Sequence, residues 1–532
     1  MLKKHLISTL LILLSLSLHA QVNRYVVFFS DKTNTPYSVD APEAFLSSQA
    51  LTRRQDQSIP VTVTDLPVDP AYVAGVNGTG AEVFYTTKWL NGALIQADAS
   101  VISSIEALGY VDSVVYVAPG SKLTSSGRLS KVEEQLEVLE ITDGQLGLLG
   151  VDVLHEEGYH GEGMLIAFFD GGYKGVNTVE AFQHIYNENR LHYAWNFVEN
   201  NDNVYQYSTH GTRVFSATAA FLTDTYLGSA YKADFMLFVT EDAGSEYRIE
   251  EYNWLIAAEK ADSAGVDIIN GSVGYFDFDD PSMNYTYEDM DGKTTIISKA
   301  AAFAADRGIL VVVSAGNEGN KTWKYVTAPA DAENILSVGS VDGNGEVSNF
   351  SSVGPTSDGR IKPEVMAYGA GTAVVNDFGS VINGSGTSFA TPLITGLAAS
   401  LWQLYPDLTN KELISFILEN SSNSDTPNNQ YGYGVPSYRF VISGTDRETT
   451  TSFMVYPNPV SSGLLNIRFT NTMEKARIRL YNLTGSLIRS IDLEAPSTAV
   501  PTTVPLEDLQ QGIYLLEVNS GAKVESYRII KY

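Results

Sequence analysis

The chain has 532 residues, and at roughly 150 residues per domain this gives a prior of three or four domains, with ample length for a large core. Asp and Glu outnumber Lys and Arg by 62 to 34, a formal charge of −28, so the overall field opposes a nucleic-acid backbone and excludes nucleic acid as the expected partner. There is no cysteine, which excludes disulfides, thiolate nucleophiles, Cys-ligated zinc and iron–sulfur clusters, while 44% hydrophobic and 11% aromatic residues mark an ordered globular chain.

Lys3 and Lys4 precede a Leu-rich run from Leu6 to Leu18, and Ala20 offers a small residue for cleavage. Residues 1–20 therefore read as a secretory signal peptide, because the run of about 13 residues is short of the about 20 that a spanning helix needs. An exported chain without disulfides must rely on core size or bound ions.

Residues 21–120 alternate strand and helix signals. Arg24–Phe29 (RYVVFF), Val83–Tyr85, Ala93–Gln96 and Val111–Val117 are strand-like, and Ala44–Arg54 and Ala99–Leu108 have helical spacing, together a small α+β unit. Residues 121–144 are rich in Ser, Lys and Glu and read as an exposed linker with a processing site.

In residues 145–441, short all-apolar runs alternate with helical stretches: Met164–Phe169, Asp234–Val239, Val266–Ile269, Ile309–Val313 and Ile335–Val338. Runs apolar on both faces between helices predict a parallel sheet covered by helices on both sides, with chemistry at the carboxyl ends of its strands. The polar signals stand there. Asp170 follows the first of these strands, His210 (STHGTRVFS) precedes a helix-like run, and Ser388 (NGSGTSFATP) opens an apolar helix in which Pro392 is expected to fall in the first turn. Each alone has an ordinary structural reading: a turn residue, a core histidine and an N-cap. Together, in the order Asp, His, Ser, they have one of the orders in which the serine hydrolase triad occurs.

His210-Gly211-Thr212, Ser314-Ala315-Gly316-Asn317-Glu318-Gly319 and Gly386-Thr387-Ser388-Phe389-Ala390-Thr391-Pro392 resemble the signatures of the subtilisin-like (S8) serine peptidases, as do the separations of 40 and 178 residues between the three positions. The resemblance implies the subtilisin-like α/β fold and a serine endopeptidase in which His210 is the base, Asp170 orients it and Ser388 is the nucleophile. It also implies an oxyanion hole made by Asn317 and the Ser388 N–H, and substrate binding along Ser272, Val273 and Gly274 and beside Ala315 and Gly316. Two positions depart from the family pattern. Gly171 stands where Ser or Thr usually follows the Asp, and Arg213 stands where a second His usually follows HGT.

By the same resemblance, residues 21–120 are an inhibitor-type propeptide that blocks the cleft until cut away. After a polar linker at 442–452, residues 453–532 carry the strand-like runs Leu465–Phe469, Ala476–Tyr481, Gly512–Val518 and Ser526–Ile530. The phrases YPNPV, LYNLTG, QGIYLLEV and RIIKY resemble the C-terminal sorting domain of the type IX secretion system, a small antiparallel β-sandwich that implies secretion or surface display through that machinery. From pattern alone a carbohydrate-binding or adhesive sandwich is equally open.

The chemistry requires no cofactor. Structural calcium is raised by the acidic surplus and the resemblance, with Glu199–Asn203, Asp277–Asp280 and Glu288–Asp291 as candidate clusters and no ligands assigned. The implied partners are protein or peptide substrates, the chain's own propeptide and the secretion machinery. Two other functions are weighed: a surface-binding protein on an inactive scaffold of this kind, which a missing triad member would mark, and an esterase, which a GxSxG elbow would mark. All three triad positions are filled, and Gly386-Thr387-Ser388-Phe389-Ala390 lacks the second glycine.

Overall fold

A computed structural model describes residues 22–120, 142–442 and most of 453–531; the signal read at 1–20 and the linker segments 121–141 and 443–452 lie outside the described residues. Contacts divide the chain into two compact units, Met1–Phe440 and Val441–Tyr532.

The first unit opens with a four-stranded antiparallel sheet in the order β2-β3-β1-β4, built from β1 (Val22–Phe29), β2 (Glu82–Thr87), β3 (Gly92–Asp98) and β4 (Val111–Pro119). The helix expected at 44–54 is Ser48–Asp56 instead, because Ser47 accepts the Ala50 N–H at 3.1 Å and so fixes the start. A further helix, Pro70–Gly78, begins with Asp69 accepting the Ala71 N–H and Pro70 at the first position, a start signal that the apolar spacing did not reveal. Asp98 caps Ser100 and turns the start of the 99–108 run into a 3-10 turn before the helix Ile102–Glu106.

A seven-stranded parallel sheet follows, made of β5 (Leu165–Asp170), β6 (Leu191–Asn196), β9 (Asp234–Val239), β10 (Ile268–Gly271), β11 (Leu310–Ser314), β12 (Leu336–Val341) and β13 (Val365–Tyr368), with a short hairpin of β7 (Phe221–Leu222) and β8 (Tyr226–Leu227) between β6 and β9. The order is β13-β12-β11-β10-β5-β9-β6, so the chain leaves β5 toward one edge and returns to build the other side. The apolar runs account for five of these strands. The two edge strands escaped them, since β6 is only partly buried and carries His192, while β13 has four residues.

Alternate residues of β5 face opposite sides of the sheet. Phe168 packs edge-on against Phe215 of the helix His210–Ala219 at 5.1 Å between centroids, and Phe169 packs against Trp254 of the helix Ile249–Ala264, also at 5.1 Å. Both faces are therefore covered, and polar groups of β5 can stand only at its ends.

The four-stranded sheet lies on the same side as Trp254. Val26, Leu94 and Val117 share one core with Leu255, Ala258 and Ala301. At the edge of this contact is a buried charge cluster. Asp262 receives Arg53 at 2.7 Å, Lys88 at 2.8 Å and Arg54 at 2.9 Å, while Asp65 receives Arg307 at 2.7 Å and Arg54 at 3.2 Å. Glu259 accepts the N–H groups of Lys88 and Trp89 and the Thr87 hydroxyl. Burial alone would raise the Asp262 pKa, but Lys88, Arg53 and Arg54 outweigh it and hold it down at about 2.

The second unit has seven strands in two antiparallel sheets, β16 (Phe453–Tyr456), β17 (Leu464–Phe469) and β20 (Thr502–Pro505) in one, and β18 (Lys475–Asn482), β19 (Leu487–Glu494), β21 (Gly512–Asn519) and β22 (Val524–Lys531) in the other. Leu465, Ile467, Ile478, Leu480, Leu516 and Val518 form its core. The sequence pattern revealed four of the seven. Of the others, β19 is an edge strand held to β18 by the exposed pairs Lys475–Glu494 and Arg477–Asp492, so its polar residues hide the alternation.

Replacing Asp262 leaves the buried Arg53 and Lys88 without their anion and Arg54 with Asp65 alone, a change that costs about 3–5 kcal/mol. Asp262→Ala is expected to lower the urea midpoint of the full chain at pH 7 accordingly. Because the folded pKa is depressed, the stability from Asp262 is complete above its unfolded value of about 4 and is lost as pH falls toward 2. The difference between wild type and variant should shrink across that window, and a difference independent of pH would contradict the assignment.

Candidate active site

Asp170 is the last residue of β5, at the carboxyl edge of the sheet, and is 1% exposed. His210 is the first residue of its helix, where Ser208 Oγ accepts its backbone N–H at 3.0 Å. The imidazole Nδ1 is 2.9 Å from Asp170 Oδ2 and 3.0 Å from Oδ1, and Gly171 donates its N–H to Oδ1 at 2.7 Å. A charged carboxylate on Nδ1 fixes the proton there and leaves Nε2 as the acceptor. Burial lowers the His210 pKa, but the charge and hydrogen bond of Asp170, helped by Glu241, outweigh it, and the net displacement is upward from 6.5 despite an opposing contribution from Arg213.

Ser388 is the second residue of the helix Thr387–Leu404, and the ring of the next residue, Phe389, lies 5.7 Å from that of His210. The N–H groups of a helix's first turn have no intrahelical acceptor, so the Ser388 N–H is one such donor. Pro392 is the sixth residue of this helix, not part of its first turn as the spacing suggested. A residue there would normally donate its N–H to the carbonyl of Ser388, and proline has none to give. The freed Ser388 carbonyl accepts the Ser272 hydroxyl at 3.1 Å instead, while Ser388 Oγ lies 3.5 Å from the Ser272 carbonyl. The Ser388 turn is thus tied to the end of β10.

Asn317 follows β11 by three residues. Its Oδ1 accepts the N–H of Thr387 at 2.9 Å and the Thr387 hydroxyl at 3.1 Å, which turns the Nδ2 donors to the other side of the amide. Ser272, Val273 and Gly274 leave β10, and Ala315 and Gly316 leave the neighbouring β11; Gly316 has φ +105°, a left-handed conformation suited to glycine. Thr327 lies between these two segments and was not singled out by any motif. A Cβ on Gly274 would meet its Oγ1 at 2.2 Å and one on Gly316 at 2.9 Å, and that Oγ1 is buried without a hydrogen-bond partner. Arg213 folds back on its own turn, with Nη2 donating to Thr209 Oγ1 at 3.0 Å.

Several side chains of the acidic segments accept backbone N–H groups. Asp279 accepts the Glu246 N–H, Asp280 and Asp289 cap their own short 3-10 turns, and Asn201 accepts the Asn203 N–H. Among the described residues, no group of three or more His, Asp or Glu side chains could hold a metal ion.

Against known proteins, the chain matches the Subtilase family over residues 89–434, the Bacteroidota form of the peptidase S8 propeptide domain over 24–133 and a secretion system C-terminal sorting domain over 454–532. Subtilisin NAT of Bacillus subtilis subsp. natto is 30% identical over 265 residues, covering 49% of this chain and 61% of its own. Serine protease AprX of Bacillus subtilis is 28% identical over 315 residues, covering 53% and 67%. The chain thus spans less than two thirds of the length of subtilisin NAT. Among solved structures, the epidermin leader peptide processing serine protease of Staphylococcus aureus superposes with TM-score 0.54 at 16% identity over 79% of this chain and 99% of its own, a likeness of fold. On the match over residues 89–434, the chain belongs to the subtilase family.

Proposed function

We propose that the mature chain is a secreted serine endopeptidase whose Ser388, His210 and Asp170 cleave peptide bonds through an acyl-enzyme. The observation that carries this reading is the 2.9 Å contact from the buried Asp170 to His210 Nδ1, at the strand end beside the Ser388 loop. A serine hydroxyl is a weak nucleophile at neutral pH and needs a base. His210 Nε2 takes the proton of Ser388 Oγ as that oxygen bonds to the substrate carbonyl carbon, and Asp170 stabilises the imidazolium. The carbonyl π electrons move onto oxygen, and the oxyanion accepts hydrogen bonds from Asn317 Nδ2 and the Ser388 N–H. The tetrahedral species collapses as His210 passes its proton to the leaving amine. Water then repeats the sequence on the ester and frees the acid and Ser388.

An extended peptide adds to an exposed backbone edge by main-chain hydrogen bonds. Ser272–Gly274 and Ala315–Gly316 are assigned to that role, with Thr327 packed against Gly274 and Gly316.

Residues 1–20 are assigned as the export signal, the α+β segment as an intramolecular inhibitor and the C-terminal sandwich as the address for type IX secretion. The inhibitory role is supported by the exit of the first segment: Pro119 and Gly120, at the end of β4, line a cleft together with Asp242, Ser245 and Tyr247 from the loop after β9. The chain leaving β4 is therefore delivered to the carboxyl edge of the parallel sheet, where Asp170 stands.

Two outcomes follow. Ser388→Ala should abolish casein hydrolysis and accumulate as an uncut precursor, whereas wild type is cut between about residues 118 and 145; normal processing of purified Ser388→Ala in isolation would refute self-cleavage. Asn317→Ala should retain KM within a few-fold and lower kcat by about 100- to 1,000-fold, equivalent to about 2.7–4 kcal/mol of transition-state stabilisation. An unchanged kcat would remove Asn317 from the oxyanion hole.

A further inference from the structure

The loop after β9 brings a second carboxyl group to the triad. Glu241 stands two residues beyond Val239, the residue of β9 paired with Asp170. A Cβ placed on Gly171, directly after Asp170, would lie 3.6 Å from Glu241 Oε2, an ordinary contact distance, so the carboxylate stands immediately beside the Asp170 turn. Its other oxygen, Oε1, is 3.1 Å from the hydroxyl of Tyr275, and the same hydroxyl is 3.2 Å from Oε2 of Glu250. Tyr275 and Glu250 are each 1% exposed. One phenolic proton cannot satisfy two carboxylates, so a second proton is held within Glu241, Tyr275 and Glu250 near neutral pH.

We propose that Glu241 is a positioning residue of the triad: anchored by Tyr275, it sets a second carboxyl group beside Asp170 and His210, and its charge governs when His210 becomes a free base. This rests on the triad reading above. The groups that face His210 are Asp170 from β5, Glu241 from the β9 loop and Arg213 from its own helix. Those that face Glu241 are Asp170, His210 and Tyr275, with Tyr173 and Glu250 close by; Glu246 and Asp242 in turn act on Glu250. Partial burial, then the charge of Asp170, pushes the Glu241 pKa up to about 7, against the opposing influence of His210 and the Tyr275 hydroxyl. Burial, with Glu246, Glu241 and Asp242, raises that of Glu250 well above its ordinary value.

The sign of the coupling is definite. Ionised Glu241 favours the imidazolium, and protonated Glu241 does not, so proton uptake on one group weakens uptake on the other. The acid limb of kcat/KM should therefore be broader than a single titration. In Glu241→Gln it should contract to one proton and move to lower pH by about one unit, and Glu241→Asp should restore the breadth. Tyr275→Phe, which removes the donor that favours ionised Glu241, should shift the limb in the same direction as Glu241→Gln.

The test measures peptide hydrolysis against pH for the processed wild type and these variants, with rates normalised to active sites counted by a fluorophosphonate, and with Ser388→Ala in parallel. A lower rate in Glu241→Gln with the midpoint and shape of the wild-type limb unchanged would overturn the proposal while leaving the triad intact. Undiminished hydrolysis by Ser388→Ala would overturn both.

Discussion

The central constraint is that β5 is buried on both faces. Phe168 and Phe169 project to opposite sides and are clamped by Phe215 and Trp254, so the strand cannot carry a polar group along its length without stranding it in the core. Asp170 lies at the first place where the strand reaches the carboxyl edge. There Gly171 donates to it and His210 completes its hydrogen bonding. Two of the helices that pack on the sheet, His210–Ala219 and Thr387–Leu404, carry His210 and Ser388 in their first turns, so the packing that covers the core also holds these two residues. Pro392 extends this logic. By withholding one N–H it frees the Ser388 carbonyl for Ser272, and the loop of the nucleophile becomes locked to the neighbouring strand end.

The same sheet determines how the first segment is held. The helices Ile249–Ala264 and Ile296–Ala305 cover one face of the parallel sheet, and their outer surface meets Val26, Leu94 and Val117. Apolar contact alone is not directional. The charges around Asp262 and Asp65, with Glu259 gripping the turn at 87–89, give the contact a defined register and place the end of β4 near the loop after β9. The segment thus ends at Gly120 beside the loop after β9.

Much of the catalytic side was legible in the residues because each element is encoded locally. Asp170 terminates an apolar run, His210 opens a helix, and Ser388 lies in a Gly/Ser/Thr turn that feeds another. What was not legible depends on pairs remote in the chain. The hydroxyl of Thr327 faces Gly274 and Gly316 across a gap that no spacing reveals, and Glu241 looks like one acid among many in an acidic loop until Gly171 and Tyr275 are seen beside it. The Arg53–Asp262 pair spans more than two hundred residues. The edge strand β6 of the large sheet and the polar edge strand β19 were missed for a related reason: partial burial blurs the apolar pattern that reveals central strands, whereas β13 is buried but only four residues long. In the acidic runs considered for calcium, Asp280 and Asp289 cap short turns, the ordinary use of Asp in loops.

The most direct test of the central claim is to treat the processed protein with a fluorophosphonate and map the adduct by mass spectrometry of its peptides. The structure predicts one modified site, Ser388, with labelling lost in His210→Ala because the base that activates the hydroxyl is gone. An absence of labelling in the processed wild type, or an adduct on a different serine, would contradict the assignment of Ser388 as the nucleophile.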